Sequence, residues 1–84
     1  MLFRSVQMAL VRSFSRKEFS PRKLHQEVDA KYGRFESDGR VVVQIETYGK
    51  SDRVSYGEPS QIIQIDLVGA EALLAIIKRE FNLS

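Results

Sequence analysis

The side chains that could carry chemistry in this sequence are mostly basic. Lysine and arginine together number 13, whereas histidine occurs once, at His25, and cysteine is absent. Without cysteine there is no disulfide, no thiolate zinc site and no cysteine nucleophile. One histidine leaves little material for acid–base chemistry near neutral pH. We therefore expect no enzymatic activity and no cofactor.

Motifs for nucleotide and metal chemistry are also missing. Neither GxxxxGK[ST] nor GxGxxG occurs, so phosphate binding by those glycine-rich turns has no support. His25, Glu27 and Asp29 would share one side of an extended strand, but exposed strand edges show the same pattern. Glu46 and Asp66 are more simply solvated sheet charges than an acid–base pair. We predict no metal site and no catalytic residue.

Basic residues concentrate near the amino terminus. The net charge is +2, but residues 1–25 carry six basic side chains and one acid, and residues 26–84 carry seven basic and ten acidic ones. Such an asymmetry is typical of proteins that bind nucleic acid or another polyanion. Aromatic rings near the cations could stack on bases. The candidate nucleic-acid-binding residues are Arg12, Arg16, Lys17, Arg22, Lys23, Lys31, Arg34, Arg40, Tyr48, Lys50 and Arg53, with Tyr56 as a second stacking ring.

Two strands joined by a tight turn must position several of these candidate nucleic-acid-binding residues. Residues 26–35 alternate between apolar and polar side chains, and the β-branched residues 41–47 do the same. Between them, Asp38 and Gly39 suit the left-handed backbone of a two-residue hairpin turn. We predict an antiparallel hairpin here. An alternative to the stacking interpretation places Tyr32 and Phe35 in the core, with neighbouring acids cancelling the positive potential.

A further strand and a helix complete the fold. Residues 61–67 predict a strand with Ile63, Ile65 and Leu67 toward the core and with Gln64 and Asp66 toward water. Apolar residues at spacings of three and four predict a helix over residues 68–82, capped by Asp66. Residues 9–14 fit a helix start or an edge strand, and we expect the strand. The apolar stripe of the helix includes Leu73, Leu74, Ile77 and Phe81.

The predicted fold class is α+β, with a four-stranded antiparallel sheet followed by a C-terminal helix in the order β-β-β-β-α. A chain of 84 residues accommodates one domain, and residues 1–7 are either part of it or an upstream extension. The basic, serine-containing opening has the composition of an organellar leader. No apolar run is long enough to span a membrane. We expect a cytoplasmic protein, with nucleoid association and an organellar leader as alternatives.

The order of elements, the stretch GRVVVQIETYG and the stretch EPSQIIQIDLVGAEALLAIIKREF together resemble the transcriptional coactivator p15/PC4 family over about residues 26–81. The resemblance implies a curved sheet that binds single-stranded or melted DNA and a helix that forms a homodimer. It implies that Arg40 and Lys50 lie on or beside the binding strands and that Tyr48 stacks on bases. It also implies a dimer interface of Leu73, Leu74, Ile77 and Phe81. Residues 57–61, GEPSQ, carry an acid where the family usually has a basic step.

Two hypotheses about function follow. The first is a homodimer that binds single-stranded DNA or RNA by phosphate neutralisation and base stacking. The second is a protein-interaction module, a small subunit or inhibitor, that uses a strand edge or the outer side of its helix. Val42, Ile62 and Ile76 lie off the main apolar stripes and favour the second.

Overall fold

A computed structural model describes residues 7–48 and 59–84 of the chain. Four strands and one helix follow one another in the predicted order. They are β1 (Gln7–Val11), β2 (Ala30–Ser37), β3 (Arg40–Thr47), β4 (Gln61–Asp66) and α1 (Leu67–Phe81). The α+β fold class is confirmed, as is the strand expected near the amino terminus.

The β2–β3 hairpin has the predicted turn. Asp38 and Gly39 both adopt positive φ angles, 53° and 73°, which a two-residue turn between twisted strands requires. Pairing runs from Ser37 opposite Arg40 to Ala30 opposite Thr47. β2 therefore spans Ala30–Ser37, and the predicted bounds of this strand, residues 26–35, were wrong. β3 ends at Thr47, opposite Ala30, so residues 26–29 are not part of the strand, and beyond it one backbone hydrogen bond runs from the Tyr48 N–H to the Asp29 carbonyl at 3.4 Å.

The sheet is mixed, which corrects the prediction of an antiparallel sheet. Its strand order is β1-β4-β3-β2, and β1 runs parallel to β4 whereas the other two pairs are antiparallel. Residues 12–29 connect the two edge strands. Parallel pairing brings the ends of β1 and β4 together, so Arg12 comes within 2.7 Å of Asp66. This contact and the close approach of the helix to β1 both depend on the parallel arrangement.

The register divides the side chains of the sheet into two faces. We call one the polar sheet face; it comprises Met8, Leu10, Lys31, Gly33, Phe35, Ser37, Arg40, Val42, Gln44, Glu46, Ile62, Gln64 and Asp66. The opposite, apolar sheet face includes Ala9, Val11, Tyr32, Arg34, Val41, Val43, Ile45, Ile63 and Ile65. The alternation predicted along β3 is confirmed by this division.

Helix α1 begins and ends with side-chain and backbone caps. At its start Asp66 accepts a hydrogen bond from the Gly69 backbone N–H at 3.1 Å, as predicted. At its end Asn82 adopts a left-handed conformation, and the Leu83 N–H donates to the Lys78 carbonyl. Because the helix begins at Leu67, that residue does not continue the strand as predicted. Among the described residues, no helix is long and apolar enough to cross a membrane.

Very little of the fold is buried. In the described ranges only Val42, Ile65, Asp66 and Gly69 are buried. The prediction that Asp66 faces water was wrong, because its side chain is only 3% exposed beneath two arginines. The prediction that Ile63 lies in the core was also wrong, since it is exposed. The helix contacts the ends of β3 and β4 and leaves much of the apolar sheet face uncovered.

Candidate nucleic-acid interface

A chain of hydrogen bonds crosses the polar sheet face. The Gln64 amide donates to Gln44 Oε1 at 2.9 Å, and the Gln44 amide donates to Glu46 Oε2 at 2.6 Å. Glu46 Oε1 accepts from the Tyr48 hydroxyl at 2.7 Å. Period-two alternation along β3 places Gln44, Glu46 and Tyr48 on one side, and the register brings Gln64 beside Gln44. The four side chains therefore form one ordered polar row.

This row fixes the charge states within it. The Tyr48 hydroxyl and then the Gln44 amide stabilise the carboxylate and lower the pKa of Glu46. The same bond raises the pKa of Tyr48, because losing its proton would place two negative charges side by side. Lys31 lies over the Tyr48 ring, with Nζ 5.2 Å from its centroid. At neutral pH the row therefore carries one negative charge, at Glu46, and the Lys31 cation lies beside it.

A cavity of about 300 Å³ opens beside the row, above Gly33 of the edge strand. Its lining consists of Lys31, Tyr32, Gly33, Arg34, Phe35, Gln44 and Glu46. A Cβ at Gly33 would meet nothing within 4 Å, so missing side-chain volume on the polar sheet face forms its floor. The site thus combines an open floor, aromatic rings, cations, an amide and a carboxylate.

A second cluster lies at the other end of the polar sheet face. Arg12 Nε and Arg40 Nη1 both donate to Oδ2 of Asp66, at 2.7 and 2.8 Å. The Gly69 N–H first, and the two guanidiniums after it, lower the pKa of Asp66 against the opposing effect of burial. Two arginines around one carboxylate leave a net positive charge here. Alternation alone could not reveal this cluster, because it depends on β1 lying beside β4.

The cations of residues 12–23, which we call the basic arm, are exposed. Arg16 bonds Glu18 at 3.2 Å and Glu80, near the end of the helix, at 2.6 Å. Lys17 and Arg22 lie 5.4 and 5.3 Å from the centroid of the Phe19 ring. A cavity of about 510 Å³ separates the arm from the helix and is lined in part by Phe14, Phe19, Ala72, Ala75 and Ile76. Lys23 has no partner within residues 7–48 and 59–84.

The structure thus groups some of the candidate residues and separates others. Lys31, Arg40 and Tyr48 share the polar sheet face with its amide row. Arg34 belongs to the opposite face by register, where it bonds Glu36 at 3.3 Å, and reaches the cavity only at the sheet edge. Lys50, Arg53 and Tyr56 lie outside the described residues.

Sequence reasoning did not select Gln44, Gln64, Phe35 or Phe19 for the interface. The glutamines had a detectable signal, since they alternate with apolar residues on adjacent strands. The alternative that places Tyr32 and Phe35 in the core was wrong, because both are exposed. In the described part of the chain, no three metal-binding side chains come together.

The predicted dimer residues lie along one side of α1. We call Leu73, Leu74, Ile77 and Phe81 the apolar helix arc. Leu74 is 55% exposed and Phe81 71% exposed, while Leu73 and Ile77 are half-buried.

Comparison with known proteins adds no further constraint. No family model matches the chain, and neither the curated proteins nor the solved structures include a match to it.

Proposed function

We propose that this protein binds single-stranded nucleic acid, with bases on the polar sheet face and phosphates on the surrounding cations. The observation that carries the proposal is the cavity above Gly33. Its volume of about 300 Å³ lies at the lower end for small-molecule sites. It offers aromatic surface, hydrogen-bonding groups and positive charge within one open depression, which is the combination that a nucleotide requires.

The cavity is suited to a flat ring. Gly33 leaves backbone accessible in a position where any other residue would project a side chain onto the same face. Phe35, which is 39% exposed, borders this floor and offers a stacking surface. Stacking on an aromatic side chain contributes about 1–3 kcal/mol per base. The ring of Tyr48 is less available, because its hydroxyl bonds Glu46 and Lys31 lies over its face.

The polar row favours base edges over phosphates at the cavity itself. Glu46 is ionised at neutral pH and repels phosphate, but its oxygens accept hydrogen bonds from exocyclic amino groups. Gln44 offers both an amide donor and an amide acceptor. Phosphates are then expected toward Lys31 beside the row, toward Arg40 at the other end of the polar sheet face, and along the basic arm.

Binding to labelled single-stranded DNA and RNA oligonucleotides tests the proposal. Affinity should fall as salt rises, with a slope of about −0.7 in log affinity against log salt for each phosphate contacted. The matched variants are Gly33→Val, which fills the cavity, and Ala30→Val, which places the same side chain on the other face of the same strand. Gly33→Val should weaken binding at least about fivefold through the loss of a stacked base. Ala30→Val should bind like the unmodified protein.

Two results would refute this function. One is the absence of binding to either oligonucleotide at low salt. The other is a Gly33→Val protein that binds as tightly as Ala30→Val.

We also propose that the protein forms a homodimer through the apolar helix arc. The chain exposes 7735 Å², whereas a folded monomer of 9.6 kDa exposes about 5,100 Å². A second copy would cover the exposed apolar side chains of the arc, Leu74 and Phe81, which nothing in the described part of the chain covers.

Sedimentation equilibrium over a range of protein concentrations tests the dimer. Leu74→Lys should shift the population toward monomer, because it places a charge in the arc. Val68→Lys is the matched control, because Val68 is similarly exposed on the same helix, at 52%, but lies outside the arc. A monomer at every concentration would exclude the homodimer and favour the protein-interaction alternative. Equal effects of the two variants would exclude the arc as the interface.

A further inference from the structure

The cluster at the end of the polar sheet face has the features of an anion site. Arg12, Arg40 and Asp66 come from three different strand ends, and both guanidiniums bond the same carboxylate oxygen. The Asp66 side chain is 3% exposed, whereas the arginine side chains are 52% and 45% exposed. An incoming anion therefore meets the guanidiniums and not the carboxylate.

The capacity of Asp66 to accept hydrogen bonds is largely used within the fold. Oδ1 accepts from the Gly69 N–H, and Oδ2 accepts from both arginines. Each guanidinium carries five N–H groups. Within the described part of the chain, the remaining N–H groups of Arg12 and Arg40 have no hydrogen-bond acceptor. The carboxylate thus orients two arginines and neutralises only one of them.

A cavity of about 270 Å³ adjoins these arginines. It is lined by Arg12, Arg40 and Asp66 together with Gly39, Val41, Leu67 and Val68. Its walls are the hairpin turn and the first residues of the helix, and no acidic side chain other than Asp66 lines it. A small anion can therefore approach both guanidiniums without facing a second carboxylate.

We propose that Arg12 and Arg40, which Asp66 orients, form a seat for one phosphate group that both guanidiniums contact. Planar guanidiniums match the oxygens of a phosphate and hold it with charge-assisted hydrogen bonds. The seat rests on the proposed function in one respect, which is that a nucleic-acid backbone supplies the phosphate. Arg40 and Gln44 lie on the same face four residues apart along β3, about 14 Å. A nucleic-acid strand lying along β3 would thus bring a phosphate to the seat and a base to the cavity above Gly33.

Inorganic phosphate is the first probe. The Nε–H signals of the arginines are followed by NMR in the full-length protein while potassium phosphate is titrated against potassium chloride of equal ionic strength. The signals of Arg12 and Arg40 should shift and saturate, whereas that of Arg34, paired with Glu36, should not. If all three signals move alike, or if none moves, the seat is refuted. This result does not depend on whether the protein binds nucleic acid.

Oligonucleotide binding is the second probe. Arg40→Gln should reduce the salt slope by about 0.7, the value for one lost phosphate contact to a single strand. Lys78→Gln removes the same charge from the last turn of α1, where it lines neither cavity, and is the matched control. An equal reduction in both variants would indicate general electrostatic attraction and overturn the seat. Phosphate shifts at Arg12 and Arg40 without any oligonucleotide binding would support a seat for free phosphate and refute the nucleic-acid function.

Discussion

Replacing Gly69 by alanine should destabilise the protein, although the same change normally stabilises a helix. Alanine is favoured over glycine inside a helix by about 0.5–1 kcal/mol. At this position, however, a Cβ would lie well inside van der Waals distance of the Val11 carbonyl oxygen. It would also lie 3.3 Å from both Arg12 Cα and Ile65 Cγ2. Two of these three atoms are backbone atoms, so they cannot move without displacing β1 from the helix.

The magnitude follows from two opposing contributions. Overpacking a filled site costs about 1–3 kcal/mol, and we expect the upper part of that range because a strand must shift. After subtracting the gain in helix propensity, we expect a net loss of about 1–2 kcal/mol in the free energy of unfolding. For a domain of this size, 1 kcal/mol corresponds to about 4–8 °C in Tm.

Urea unfolding followed by far-ultraviolet circular dichroism measures this loss. Protein concentration must be the same for every variant, because a dimer gains apparent stability with concentration. Gly33→Ala is the control, since a Cβ there meets nothing within 4 Å, and its stability should equal or slightly exceed that of the unmodified protein. A Gly69→Ala protein as stable as Gly33→Ala would refute the packing of the helix start against β1.

Three further predictions follow from individual side chains. The folded state lowers the pKa of Asp66, so the stabilisation by this carboxylate is complete above the unfolded pKa of about 3.9. This stabilisation should be lost as pH falls through the folded pKa. Urea midpoints measured at several pH values check this prediction. The raised pKa of Tyr48 should make one tyrosine ionise late in an ultraviolet absorbance titration, and Tyr48→Phe should remove that late component. Gly39→Ala should cost about 1 kcal/mol in urea unfolding, because alanine is strained in a left-handed conformation, and an unchanged midpoint would contradict the turn geometry.

Local patterns were sufficient to predict most of the elements. The stripe along α1, the Asp66 cap and the Asp38-Gly39 turn depend on residues within a few positions of each other. Period-two alternation correctly assigned the side chains of β3 to two faces. Such features are encoded by neighbouring residues, so a single sequence reveals them.

Partners distant in the sequence could not be predicted in the same way. Asp66 has the character of a solvated strand residue in its local sequence, yet it is buried because Arg12 and Arg40 converge on it from 54 and 26 positions away. Ile63 has the pattern of a core residue, yet it is exposed because the helix covers only part of its sheet face. The cavity above Gly33 also depends on the pairing of β2 with β3.

The sequence by itself determined the kinds of chemistry open to this protein. It lacks cysteine, has one histidine and has a basic amino-terminal third, and these properties hold however the chain folds. Only the tertiary structure decided which cations share a surface. Parallel pairing of β1 with β4 brought Arg12 close to Arg40. The β2–β3 register placed Lys31 beside the polar row and Arg34 on the opposite face of the sheet. The reason is that charge and residue type are local properties, whereas a binding surface is formed by strands that are distant in sequence and adjacent in the sheet.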